Sequence, residues 1–356
     1  MRAWRVHEFG EPDEVLTLEQ VDEPTAEDLA GLGMGLGGWE PLQPGRVPFG
    51  DWVLLDMRAA ALALPDVTMA RGSYPVPVGR PYVTGQEGVG VVRAAAPGRE
   101  HLLGRRVVAC CIQPWGSLAD VAVGVSMIFE VPGEVTDAEA AAYLIAAHTG
   151  YHAAIRRGGV QAGETVAVLG AAGGVGSAMV QLSVAEGARV IAVVGDPAKA
   201  EVCEQLGAEA VVHAEVDPPE ALREMTGGRG VDVILDPVQG ELGARARAGL
   251  GVGGRHVVCG HAGGLVPHDP SFYLWNQSIV GVDLGGYPGD VMAGWHRETQ
   301  AHLERLLGEG RYRPLVDRVV PFEDAAGAVR DLAARRVAGR VVIGIADDVT
   351  TGETAG

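Results

Sequence analysis

One stretch constrains the fold of this chain more than any other: Val166 to Gly195, "VAVLGAAGGVGSAMVQLSVAEGARVIAVVG". It reads as a buried strand, a glycine turn, a helix and a second buried strand within about thirty residues. Such a turn brings the free N–H groups of a helix's first turn to the carboxyl end of a strand, where they face an anion such as a pyrophosphate. Gly170 closes the strand, Gly173 and Gly174 allow close backbone approach, and Gly176 lets the helix lie against the sheet, with Ala171, Ala172 and Val175 completing the turn. A second glycine pattern, Gly33-x-Gly35-x-x-Gly38, has similar spacing but no strand before it, and Pro41 and Pro44 follow where a helix would have to run. It is expected to be a surface insert, part of a stretch from Thr25 to Gly50 in which no period survives.

The same rhythm continues on both sides of the central unit. Asp137 to about Arg156 is expected to be helical, with Thr136 as N-cap and Glu139 as its capping-box partner. Strands are expected at Thr165–Leu169, Arg189–Val194, Ala210–Val212, Val231–Leu235 and His256–Cys259, and helices at Gly174–Glu186 and Pro197–Leu206. These strands are near-continuous apolar runs, as a parallel sheet covered on both faces requires. Before Pro132 the pattern differs: short strands at Arg2–Val6, Val15–Val21, Asp51–Met57, Gly88–Val92, Arg106–Ala109 and Leu118–Val123 suggest a small, mostly antiparallel barrel. The last part offers a strand from Ser278, helices near Glu298–Leu307 and Phe322–Arg335, and a closing strand Arg340–Ile343. The fold class is therefore α/β.

Composition narrows the function. The chain has 356 residues, enough for two domains, and a net charge of −18 that repels nucleic acid and anionic membrane surfaces. No run reaches the roughly 20 apolar residues that span a bilayer, no apolar signal segment follows Met1–Arg5, and the four cysteines form neither a ladder nor a zinc spacing. A cytoplasmic protein acting on a small molecule is expected.

The end of the second strand speaks to which ligand the turn holds. An acidic side chain there would bind the ribose hydroxyls of NAD, but Gly195 occupies the strand end and Lys199, the sole lysine, follows in the next turn, where a 2′-phosphate would lie. That favours NADPH over NADH. Asp196 argues the other way, because a carboxylate beside a phosphate repels it.

The stretches Met1–Val21, Arg58–Pro77, Thr84–Val92, Gly170–Leu182, Ile234–Gly240, Gly310–Leu332 and Ala338–Ile343 together resemble the zinc-independent quinone oxidoreductase branch of the medium-chain dehydrogenase/reductase superfamily. The resemblance covers nearly the whole chain except roughly residues 25–50. It implies a GroES-like β-barrel catalytic domain from residues 1–129 and 275–356, a Rossmann dinucleotide-binding domain from residues 130–274, and a homodimer. Zinc-using relatives carry Cys and His where this chain has Ala63 and Gln86, and a third ligand near His148. An alanine cannot ligate, so no metal is expected, and Ala63, Gln86 and His148 become substrate-pocket candidates.

Without a Lewis acid, the chemistry in reach is hydride addition to a quinone or to an alkene activated by a carbonyl. By resemblance Tyr74, in the loop after the first helix, is the proton donor, Thr149 contacts the cofactor near its nicotinamide end, Gly260, His261 and Ala262 lie against the nicotinamide, and Arg335 reaches the NADPH phosphate. The departures are Ala63 where relatives commonly carry Asn, and Ala214 where a tyrosine often lies near the adenine. Enoyl-thioester reduction is the alternative within the enzyme class, and a non-catalytic NADPH-binding structural or regulatory protein the alternative outside it.

Overall fold

The computed structural model describes residues 1–25, 28–29, 51–74, 78–111, 113–212, 216–265, 270–284 and 289–349. The Gly33–Gly38 pattern, most of the stretch from 25 to 50, and Ala214 lie outside the described residues. The strands, in chain order, are β1 Arg2–Val6, β2 Leu16–Gln20, β3 Val53–Ala61, β4 Tyr82–Val83, β5 Glu87–Ala95, β6 Arg106–Cys111, β7 Val121–Glu130, β8 Thr165–Leu169, β9 Arg189–Val194, β10 Glu209–Val212, β11 Val231–Asp236, β12 Leu250–Val258, β13 Ser278–Gly281, β14 Val316–Pro321 and β15 Arg340–Gly344. Two compact units result: Met1–Ile145 with Gly285–Gln300 and Val316–Gly356, and Ala146–Leu284 with Ala301–Leu315.

The second unit is built on a six-stranded sheet in the order β10-β9-β8-β11-β12-β13, every pair parallel. Counted from β8 this is the doubly wound order 3-2-1-4-5-6, and its direction reverses between β8 and β11. Ligands bind outside the carboxyl ends of the strands at that reversal. Val166, Ala167, Val168 and Leu169 are fully buried, as are Ile191, Ala192 and Val193, so the apolar runs of the sequence become strands covered on both faces. The helix Gly174–Ala185 packs on this sheet and receives the helix Asp137–Tyr151 at Gly150, where a Cβ would meet that of Ala178 at 3.0 Å.

The first unit holds a six-stranded sheet in the order β14-β15-β3-β5-β6-β7, and β7 also pairs with β3, so β3, β5, β6 and β7 form a closed antiparallel circuit. A separate three-stranded sheet joins β1 to β2 and β4. The capping box at Thr136 and Glu139 forms as expected, each side chain accepting from the other residue's amide at 3.2 and 3.0 Å. Several elements escape the sequence pattern: β14, and the helices Leu64–Ala70, Pro218–Met225 and Gly240–Ala246. The helix expected near Glu298 begins earlier, at Gly289, and β12 begins at Leu250 rather than His256. Among the described residues no helix is long and apolar enough to cross a membrane.

A polar cluster lies inside the first unit's core. Asp66 is 1% exposed; its carboxylate accepts hydrogen bonds from the amides of Ala63 (2.8 Å) and Gly85 (3.0 Å) and from the hydroxyl of Thr84 (3.2 Å). Glu87, fully buried, accepts from the amide of Ile145 at 2.7 Å and forms an ion pair with buried Arg340, whose guanidinium also reaches the carbonyl of Ala61. Burial raises both carboxyl groups, Asp66 to about 6, against the opposing pull of these hydrogen bonds and of Arg340. Between the ordinary value of 3.8 and about 6 the native protein keeps a proton on Asp66 that the unfolded chain has released. The stability this carboxyl contributes is therefore complete below the lower value and lost as pH rises through the higher one.

The prediction is that the stability advantage of the wild type over Asp66→Asn, from urea unfolding, shrinks by up to about 3 kcal/mol between roughly pH 4 and pH 6. A difference that stays constant across that window contradicts it.

Candidate functional site

In the second unit the carboxyl edge of the sheet carries three adjoining exits, after β8, β11 and β12. At the first, Gly170 has φ +58°, which turns the chain sharply off the strand, and Gly173 donates to the Gly170 carbonyl at 2.9 Å. The helix Gly174–Ala185 begins there with Gly173 as its N-cap, and the Ser177 amide takes the Gly173 carbonyl at 2.8 Å. A Cβ on Gly176 would lie 2.2 Å from the Gly170 carbonyl and 2.8 Å from Ala171 Cα, so no other residue permits this approach of helix to turn. Ala171 and Ala172 are buried with side chains too small to cover the helix end. The amides of Gly174, Val175 and Gly176 belong to the first turn, where helix geometry supplies no acceptor. The cradle suits a pyrophosphate, with the positive end of the helix dipole added to the N–H groups.

Beyond β9, exposed Gly195 leads into the helix Pro197–Gln205. The Asp196 carboxylate accepts from the amide of Lys199 at 3.0 Å and so serves as that helix's N-cap. The carboxylate keeps its charge while it caps the helix, so it still opposes a phosphate placed beside it. Lys199, half-buried, stands in the first turn.

The exits of β11 and β12 are bonded to each other. Gly263 donates to the Val238 carbonyl at 2.7 Å, Ala262 to the Pro237 carbonyl at 3.3 Å, and the Gln239 side chain to the Gly260 carbonyl at 2.6 Å. A Cβ on Gly170 would meet Val238 at 2.9 Å, so the β8 and β11 exits are immediate neighbours. Gly170–Gly176 and Gly260–Ala262 thus belong to one edge. The Nε2 of half-buried His261 is shielded from solvent and has no hydrogen-bond partner among the described residues. A bound group is one way to satisfy such an atom. In the helix Asp137–Tyr151, His148 is completely buried and Thr149 half-buried, both within the second unit.

The remaining candidates belong to the first unit. Ala63 precedes the helix Leu64–Ala70, and its amide is held by Asp66 at 2.8 Å. Gln86, half-buried, donates from its side chain to Met69 Sδ at 3.5 Å, and its carbonyl accepts from Cys111 at 2.8 Å. Asp66 also holds the Gly85 amide, so the segments carrying Ala63 and Gln86 are tied to one buried carboxylate. Tyr74 follows the same helix; its amide donates to the Thr68 carbonyl at 3.1 Å and its half-buried ring packs against the core that contains Val67 and Met69. Arg335, exposed and with φ +60°, follows the helix Ala325–Ala333, its amide on the Leu332 carbonyl at 3.0 Å. Among the described residues there is no group of three or more His, Cys, Asp or Glu side chains that could hold a metal ion. The sequence reading assigned no role to Asp66, Glu87, Arg340, Asp236 or Gln239. The signal for Asp236 was an acid ending an apolar run, "ILD", where a buried strand tolerates a charge only with partners.

Residues 50–152 match the alcohol dehydrogenase GroES-like domain and residues 174–299 the zinc-binding dehydrogenase family. A probable oxidoreductase from Mycobacterium abscessus is 34% identical, with 97% of this chain and 98% of that one covered and a TM-score of 0.79. The quinone oxidoreductase of Thermus thermophilus, solved also in complex with NADPH, is 30% identical, covering 97% of this chain and 100% of that one, TM-score 0.76. The crotonyl-CoA reductase of Streptomyces collinus is 29% identical over 251 residues, 64% of this chain and 54% of that protein. The chain spans only 15% of the length of the mycobacterial polyketide synthase subunits that it also matches. Two domain families in series, and near-complete coverage of solved oxidoreductases at 30% identity and above, place this chain in the quinone oxidoreductase branch of the medium-chain dehydrogenase/reductase superfamily.

Proposed function

We propose that this oxidoreductase is NADPH-dependent, works without a metal, and reduces a quinone or an α,β-unsaturated carbonyl compound. The observation that carries the reading is the approach of Gly176 to the Gly170 carbonyl, which leaves three helix amides open beside the reversal of a doubly wound sheet. Support for NADPH comes from Lys199 in the first turn after β9 and from the Thermus relative in complex with NADPH. Support for metal independence comes from Ala63 and Gln86, neither of which offers a thiolate or an imidazole.

The residues then divide the work. The amides of Gly174, Val175 and Gly176 hold the pyrophosphate, Lys199 the 2′-phosphate with Arg335 as a second cation, and Gly260–Ala262 and Thr149 border the nicotinamide. Bound NADPH supplies a hydride. Addition at the β-carbon of an enone builds negative charge on the conjugated oxygen, and Tyr74 Oη, directly or through water, donates the proton that completes reduction at the α-carbon. Ala63, Gln86 and His148 are assigned to the substrate pocket, and the family resemblance supports a homodimer. Likeness to a crotonyl-CoA reductase supports a second reading, reduction of an enoyl thioester.

The direct test is to titrate the protein with NADPH and then offer 1,4-benzoquinone, methyl vinyl ketone and crotonyl-CoA. Turnover of either of the first two is expected; preference for crotonyl-CoA selects the thioester reading, and binding without any turnover selects a non-catalytic role. Lys199→Ala should raise KM for NADPH about five- to tenfold and leave KM for NADH unchanged, and equal effects on both remove the phosphate assignment. Tyr74→Phe should lower kcat about a hundredfold with KM for NADPH unaltered, whereas full turnover excludes that hydroxyl as the acid.

A further inference from the structure

The turn that leaves β11 contains a backbone conformation that side-chain-bearing residues rarely adopt: Gln239 has φ +51° and ψ −138°. Such conformations are strained and persist where the surroundings dictate them. Here the surroundings are explicit. One oxygen of Asp236 accepts the amides of both Val238 and Gln239 at 2.7 Å, and the other lies 2.8 Å from Nε2 of His256 on the neighbouring strand. Asp236 and His256 are 0% and 2% exposed. A carboxylate fixed in this way pulls two successive amides around itself and turns Gln239 so that its side chain donates to the Gly260 carbonyl at 2.6 Å. The β12 exit has no slack, because a Cβ on Gly260 would lie 2.5 Å from the Pro237 carbonyl. The segment so held continues into His261, whose Nε2 is shielded and has no partner among the described residues.

We propose that Asp236 and Gln239 are positioning residues for the nicotinamide half of the cofactor: the buried carboxylate shapes the β11 exit, and the Gln239 carboxamide clamps Gly260 so that Gly260–Ala262 presents one fixed surface. This rests on the reading above that this segment borders the nicotinamide. The strain at Gln239 is retained because its carboxamide makes the clamp, although glycine would relieve the backbone. His256 anchors the arrangement by fixing the second carboxylate oxygen to β12, the strand whose exit is being positioned.

The test uses calorimetry on the full chain with two ligands: NADPH, and 2′-phospho-ADP-ribose, which keeps both phosphate sites and lacks the nicotinamide. Gln239→Gly should bind NADPH about fivefold more weakly, bind the fragment as the wild type does, and show no loss in thermal midpoint, since the lost hydrogen bond is offset by relieved strain. Asp236→Asn should show the same selectivity with a larger effect, about tenfold or more on NADPH. Equal weakening of both ligands, or unchanged NADPH affinity in Gln239→Gly, overturns the proposal. Gly176→Val serves as reference and should weaken both ligands alike. A wild type that binds neither ligand would instead sink the cofactor reading itself, and the positioning role with it.

Discussion

The second unit depends on an absence of atoms. Where the helix Gly174–Ala185 meets the turn after β8, the carbonyl of Gly170 fills the space in which residue 176 would carry a Cβ. Everything else at the carboxyl edge follows from that approach. The helix can start at the strand's end only because Gly170 turns through a positive φ, and its first amides face outward only because Ala171 and Ala172 are too small to cover them. Val238 then closes against Gly170 from the next exit, and the β12 exit is bonded to Val238 and its neighbours. A side chain at position 176 would push the helix off the turn and separate three loops whose spacing the site requires.

How far the sequence disclosed this depended on where each element finds its partners. Strands β8 and β9 coincide with the expected ranges, because a strand buried on both faces must be apolar throughout and a glycine turn punctuates it. The capping box at Thr136 is equally local, written within four residues. By contrast β14, Val316–Pro321, mixes Asp317 and Arg318 into its run and is only half-buried, so neither a buried nor an alternating pattern emerges. The helix Pro218–Met225 opens on two prolines that read as loop. Gly240–Ala246 carries two glycines because one packs against the Gly263 carbonyl and the other against Asp236, contacts invisible along the chain.

The same distinction separates the site residues. The glycine turn after β8 is legible because its geometry is dictated by consecutive residues. The buried polar groups pair across 20 residues for Asp236 and His256, and 253 for Glu87 and Arg340. Nothing in the neighbourhood of Glu87 along the chain says that its counter-ion lies on β15. Asp196 gives the reverse lesson: the sequence shows its charge, and the structure adds that one of its oxygens caps the helix of Lys199.

The long reach of the Glu87–Arg340 pair also bears on the order of assembly. Strand β3 takes β5 along one edge and β7 along Val53–Asp56 of the other early in the chain, but the rest of that second edge, Ala59–Ala61, is covered by β15, and the buried charge of Glu87 stays uncompensated until Arg340 arrives. The parallel sheet of the second unit draws its strands from one uninterrupted stretch, β8 to β13. On a ribosome, therefore, the middle of this polypeptide can complete its sheet while the start still waits for the end, a division of timing imposed by loop closure over 253 residues.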